Sequence, residues 1–154
     1  MSKLVLDTAS KYAILGCGSV GYAVAQSLHE QGKDVMIFDR DESRVEALRD
    51  QDMNAVQMDI TNPKVADEVA DHPVVLILTS YIDDNKVALE NLRENNEDQH
   101  IIVRASDPVS QEELENAGAD FVINPPQVIA ESALRALETG ELEHRVSNLV
   151  EVIE

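Results

Sequence analysis

The segment Tyr12-Ala13-Ile14-Leu15 runs without a polar break into Gly16-Cys17-Gly18-Ser19-Val20-Gly21, and an amphipathic stretch begins near Val20. An apolar strand, a GxGxxG turn and a helix start in that order constrain the fold more than any other feature of this chain. Gly16 permits the tight turn, Gly18 removes the side chain that would block a pyrophosphate, and Gly21 lets the helix approach the strand closely. The unpaired amides of the first helical turn, with the positive end of the helix dipole behind them, then form an anion site. A phosphate-bearing ligand is the first to consider.

The rest of the unit fits that reading. A second apolar strand, Asp34–Phe38, ends at Asp39, about 23 residues past Gly16, near the spacing of the acid that accepts ribose hydroxyls in dinucleotide-binding folds. Apolar runs then alternate with segments of helical period, which predicts a parallel sheet covered on both faces. The predicted strands are 12–15, 34–38, 55–58, 74–78, 101–104 and 121–123. The predicted helices are 20–31, 42–51, 64–69, 84–94, 110–117 and 127–138. Asp41 and Ser110 read as N-caps, Pro63 as a first-turn proline, and Gly32, Gly118 and Gly140 as residues that close helices. The expected fold is α/β, a Rossmann-like doubly wound parallel six-stranded sheet of order 3-2-1-4-5-6. Its ligand would lie over the carboxyl ends of the strands, between the first and the fourth.

A chain of 154 residues suffices for one domain with a proper core and is too short for a nucleotide domain plus a full substrate domain. The expected division is a tail over 1–11, the nucleotide domain over 12–138, and a C-terminal helix or connector over 139–154. Leu142, Val146, Leu149, Val150 and Ile153 share one helical face in that last segment, which either packs back on the sheet or connects to a partner. No apolar run approaches a membrane span and no secretion signal stands at the N-terminus, so no membrane insertion and a cytoplasmic location are expected. Cys17, the only cysteine, suits a small apolar filler.

Thirty acidic residues against twelve basic ones give a formal charge of −18. Nucleic acid is excluded as a partner because no cluster of Lys and Arg exists to displace phosphate counterions. The charge suits a salt-loving organism, because in molar salt the screening length falls to about 3 Å and self-repulsion fades.

Catalytic signals are poor. Tyr81 and Lys86 are not at the four-residue helical spacing of a proton-transfer pair, and no serine occupies a nucleophile elbow. His29, His72, His100 and His144 are scattered as surface or strand-edge residues would be, and no metal site is expected. A regulatory nucleotide-binding module is therefore the leading reading. A small NAD-dependent oxidoreductase and a ligand-free assembly domain are the alternatives.

Taken together, Gly16–Gly21, Phe38-Asp39-Arg40-Asp41-Glu42 with Arg44, Asp59-Ile60-Thr61-Asn62-Pro63, Arg104-Ala105-Ser106-Asp107-Pro108 and Ala117-Gly118-Ala119-Asp120 resemble the N-terminal domain of regulators of potassium conductance, also called the TrkA-N or RCK NAD-binding domain. The resemblance implies a sensor for NAD(H), ATP, ADP or AMP, assembled as a homodimer or larger, that acts on potassium ion transport. It places Gly16, Gly18, Ser19, Val20 and Gly21 at the phosphates, Asp39 at the ribose and Arg40 beside the adenine or a 2′-phosphate. Asp59 and Ile60 fall at the adenine edge and Thr79 and Ser80 under the middle of the ligand. Arg104 falls near the site, as a ligand contact or a structural ion pair. Ser19 stands where some ATP-responsive relatives carry arginine, which favours NAD(H) or AMP. Asp83-Asp84-Asn85-Lys86 only approximates the family's acidic run after the fourth strand.

The segment from Glu131 to Glu143 also resembles the stretch leading into a DHH-family phosphoesterase in acidic archaeal proteins labelled exopolyphosphatase-related. No Asp-His-His motif occurs in this sequence, so any such output module would be attached or docked. Transfer from molar salt to dilute buffer should lower the thermal midpoint steeply; a midpoint indifferent to salt would make the acidic surface that of an ordinary mesophilic protein.

Overall fold

Alternation along the strands assigns each side chain to one of two cores. In a computed structural model that describes residues 11–139, Tyr12 and Ile14 of β1 (Lys11–Leu15) face one side of the sheet and Ala13 and Leu15 the other. On β2 (Asp34–Asp39), Val35 and Ile37 join the first side and Phe38 the second. Strands buried on both faces read as continuous apolar runs, as a parallel sheet under two helical layers requires. The remaining strands are β3 (Asn54–Gln57), β4 (Val74–Ile77), β5 (His100–Arg104) and β6 (Phe121–Ile123). All neighbours pair in parallel, in the order β3-β2-β1-β4-β5-β6, as expected.

Helices α1 (Ser19–Glu30) and α2 (Glu42–Asp50) supply Ala25, Val45 and Leu48 to the Tyr12–Ile14 face. The opposite face takes Val65 and Ala66 from α3 (Lys64–Glu68), Ala88, Leu89 and Leu92 from α4 (Ile82–Asn95) and Leu114 from α5 (Pro108–Asn116). The last described helix, α6 (Pro125–Glu138), buries none of its residues.

Local chemistry sets the ends of these elements. Asp41 caps α2 by accepting from the amides of Ser43 and Arg44, and the Ser43 hydroxyl, together with these amides, holds its carboxyl below the usual aspartate range. The expected cap at Ser110 is corrected: Asp107 is the N-cap of α5, and Ser110, three residues on, closes a reciprocal capping box. The proline at 108 follows because its missing N–H is no loss at a first helical position. Helix α6 likewise starts at Pro125, earlier than its periodicity indicates, and α4 starts at Ile82. Gly32 and Gly118 end helices at φ +74° and +108°, as expected, and Asp52 takes the same left-handed conformation after α2 at φ 61°. Gly140 and the apolar face over 142–153 lie outside the described residues.

The reading of the histidines is corrected in part. His72 and His100 are buried at the amino ends of β4 and β5, 3.0 and 3.7 Å from carboxylates of Asp71 and Asp120. Nearby, Arg93 donates to the carbonyls of Gly118 and Gln99 and pairs with Asp120 at 2.7 Å, joining α4 to the edge of the sheet. This end is remote from the carboxyl ends of the strands.

Leu89 is fully buried between α4 and the sheet. Leu89→Ala should cost about 2–5 kcal/mol of unfolding free energy, seen as a lower urea midpoint with an unchanged slope.

Candidate functional site

Three glycines that look alike in sequence do three different things. Gly16 has φ +95°, and a side chain there would collide with Thr79, so only glycine fits between the turn and the end of β4. At Gly21 a side chain would collide with the carbonyl oxygen of Gly16, so its absence brings α1 against the β1 turn. Around Gly18, by contrast, no protein atom lies within 4 Å of where a Cβ would stand. Gly18 is the N-cap of α1, and no side chain caps the helix. The amides at the head of α1 thus open onto free space.

That space is a cleft of about 460 Å³ at the carboxyl ends of the strands, where β1 and β4 part company. Gly16, Gly18, Ser19, Asp39, Arg40, Asp59, Ile60, Thr79, Ser80 and Arg104 all line it. These are ten of the residues singled out from the sequence, brought together from the ends of five strands, β1 to β5, and the turns that follow. Val20 and Gly21 do not line it: Val20 is 38% exposed, and Gly21 is buried in the helix–turn contact. Cys17 is a buried filler, as expected, and burial pushes its thiol up to about 11.

Asp39 is buried beneath the turn, and its carboxylate is part of the architecture. One oxygen accepts from the Cys17 amide at 2.7 Å and the other from the Asp41 amide at 2.8 Å. The Arg44 guanidinium lies 3.6 Å from the first of these oxygens. A carboxylate offers roughly four acceptor directions, so Asp39 keeps capacity for hydroxyl donors while locking the β1 and β2 turns together. Asp59 bonds to the amide and hydroxyl of Thr61, which hold its carboxyl below the usual range.

Under the middle of the cleft, Thr79 is fixed by a residue that pattern reading passed over. Asn85, fully buried in the first turn of α4, accepts from the Thr79 hydroxyl and donates to the carbonyls of Thr79 and Arg104, each at 3.0 Å. The signal was present in the approximate acidic run at residues 83–86. Arg44, Asp41, Tyr81 and Asp84 also line the cleft without having been assigned a ligand role. Among the described residues no carboxylate forms an ion pair with Arg104 or Arg40. Tyr81 stands at the cleft and Lys86 does not line it. No group of three or more His, Cys, Asp or Glu among the described residues is placed to hold a metal. No helix there is long and apolar enough to cross a membrane.

Comparison with known proteins agrees with this construction. The TrkA-N domain family model matches residues 12–125, and the chain belongs to that family. The NAD(P)-binding domain of an exopolyphosphatase-related protein from Archaeoglobus fulgidus superposes with a TM-score of 0.78 at 26% identity, over 85% of this chain and 98% of that one. The TrkA-N domain of the inner membrane protein ybaL from Escherichia coli has the same fold, with a TM-score of 0.77 at 21% identity over 85% and 98% of the two chains. GsuK bound to ADP gives 0.71 at 25% identity, covering 84% of this chain and 34% of that one. The protein MG323 of Mycoplasma genitalium is 25% identical over 140 residues, and this chain, matched over 90% of its own length, spans 61% of it.

The two glycines of α1 predict opposite outcomes. Gly18→Ala should fold with an unaltered melting temperature, since its methyl group enters open space. Gly21→Ala should destabilise the domain, because α1 must back away from Gly16; an equal effect at both sites would contradict this division of labour.

Proposed function

We propose that this chain is a regulatory sensor domain that binds NAD(H) or a related adenine nucleotide in the cleft between the β1 and β4 ends. The observation that carries the reading is the uncapped head of α1, opening onto empty space at Gly18, with the buried carboxylate of Asp39 in the same cleft. Phosphates would settle on the amides of the turn over Gly16–Ser19, at the head of α1, and ribose hydroxyls would donate to the remaining lone pairs of Asp39. Asp59 and Ile60 would meet the adenine edge, with Thr79 and Ser80 under the centre and Arg104 beside it. The Archaeoglobus domain, named as NAD(P)-binding, and GsuK, seen with ADP, support an adenine nucleotide. AMP, ADP and ATP are therefore the comparison ligands.

The output would be a second module. Binding across the turn and Asp39 would stabilise one arrangement of a homodimer, and that shift would be passed to a potassium transporter or channel, or to an attached or docked phosphoesterase. Val128, Ile129, Leu134 and Leu137 are exposed on α6, which offers an apolar surface for such assembly. A sensor of this kind turns over no substrate.

Calorimetric titration with NAD(H), NADP(H), ATP, ADP and AMP tests the site. NAD(H) should bind at least about tenfold more tightly than NADP(H), equivalent to about 1.4 kcal/mol, because a buried carboxylate repels a 2′-phosphate. Gly18→Val should abolish binding without changing the melting temperature, since its side chain would occupy the phosphate position. Binding by that variant equal to wild type would place the ligand elsewhere, and turnover of alcohols with NAD would favour an oxidoreductase.

A further inference from the structure

The guanidinium carbon of Arg40 lies 5.3 Å from the centre of the Tyr81 ring, within cation–π range. The two residues stand on opposite banks of the cleft. Arg40 directly follows β2, and Tyr81 is the N-cap of α4, just past β4. In the sheet β2 and β4 flank β1, whose turn carries the open head of α1. Two strand spacings, about 9–10 Å, separate those flanking strands. The contact therefore spans the cleft from one bank to the other, on either side of the strand whose turn would receive the phosphates.

The choice of an aromatic partner matters in so acidic a chain. Arg44, in the same cleft, is already engaged by carboxylates, at 3.6 Å from Asp39 and 4.0 Å from Asp41. Arg40 has no such close ion pair among the described residues, although Asp41, Asp59 and Asp84 line the same space and its charge acts at longer range on the Asp59 carboxyl. A ring face attracts the cation through its quadrupole without cancelling its charge. The guanidinium thus keeps its charge for an incoming anion. Tyr81 itself is 59% exposed and belongs to neither apolar core, so packing does not account for its position.

We infer that Tyr81 is a positioning residue for the ligand: its ring holds Arg40 as a strap across the cleft, where the guanidinium meets the phosphates of a nucleotide seated on α1. The inference rests on the nucleotide reading of the cleft given above. It adds to that reading a residue that acts only through Arg40, and only on the charged part of the ligand.

Two probes that differ only in their phosphates, ADP and adenosine, separate this role from others. Both are titrated into wild type, Tyr81→Phe, Tyr81→Leu, Arg40→Gln and the Arg40→Gln/Tyr81→Leu double variant, with melting temperatures as a folding control. Tyr81→Leu should weaken ADP about 3- to 30-fold and leave adenosine unchanged, whereas Tyr81→Phe should match wild type. The double variant should bind ADP no more weakly than Arg40→Gln alone. Wild-type ADP affinity in Tyr81→Leu, additive losses in the double variant, or equal losses for ADP and adenosine would each overturn the strap; the last would make Tyr81 a platform for the base.

A ligand-free readout keeps the two proposals apart. The side-chain protons of Arg40 should show an upfield ring-current shift in the wild-type NMR spectrum that disappears in Tyr81→Leu. A wild type that binds ADP but lacks that shift overturns the strap alone. One that shows the shift but binds none of NAD(H), NADP(H), AMP, ADP or ATP overturns the nucleotide reading, and with it this role for Arg40.

Discussion

Everything at the carboxyl end of the sheet depends on how closely α1 can approach the turn after β1. With no side chain at residue 21, the helix rests against the carbonyl of Gly16, and its first amides are brought to the centre of the sheet. A side chain at residue 21 would meet the Gly16 carbonyl oxygen and push the head of α1 away from the turn. Gly16 contributes from the other side, because its left-handed backbone lets the turn lie against Thr79 at the end of β4. The site is thus defined first by missing atoms.

The second constraint is electrostatic. A chain with a net charge of −18 repels anions at long range, yet its cleft holds Arg40, Arg44 and Arg104 beside the amides of α1. These cations are not equivalent. Arg44 compensates Asp39 and Asp41, whereas Arg40 is held by a ring and Arg104 by its place at the end of β5. Asp39 joins the turns of β1 and β2 through two amide bonds, so its negative charge is tolerated as part of the frame. In concentrated salt the surface field collapses within a few ångströms, and the local arrangement inside the cleft then governs what binds.

Asn85 serves on the other bank as Asp39 does on the first. By bonding to Thr79 and to the Arg104 carbonyl it ties the ends of β4 and β5 to the first turn of α4. The two sides of the cleft are therefore separately braced, and the Arg40–Tyr81 contact is a side-chain link from one to the other. A ligand entering here meets a hydrogen-bonded floor and, across it, a contact between two exposed side chains.

The sequence alone determined the α/β class, the strand order and the position of the cleft. Alternating apolar runs, a GxGxxG turn and a carboxylate at the next strand tip are local patterns with one parallel arrangement that satisfies them all. It also identified most of the cleft lining, because residues just past the carboxyl ends of parallel strands converge whatever their side chains do. What only the tertiary structure decided was how those residues divide the work. Gly18 faces open space while Gly21 faces a carbonyl, Ser110 supports the cap that Asp107 makes, His72 and His100 are buried, and Asn85 is a brace. Each of these depends on neighbours distant in sequence, and the Arg40–Tyr81 contact most of all, since side chains 41 positions apart meet only once β1 has been inserted between their strands.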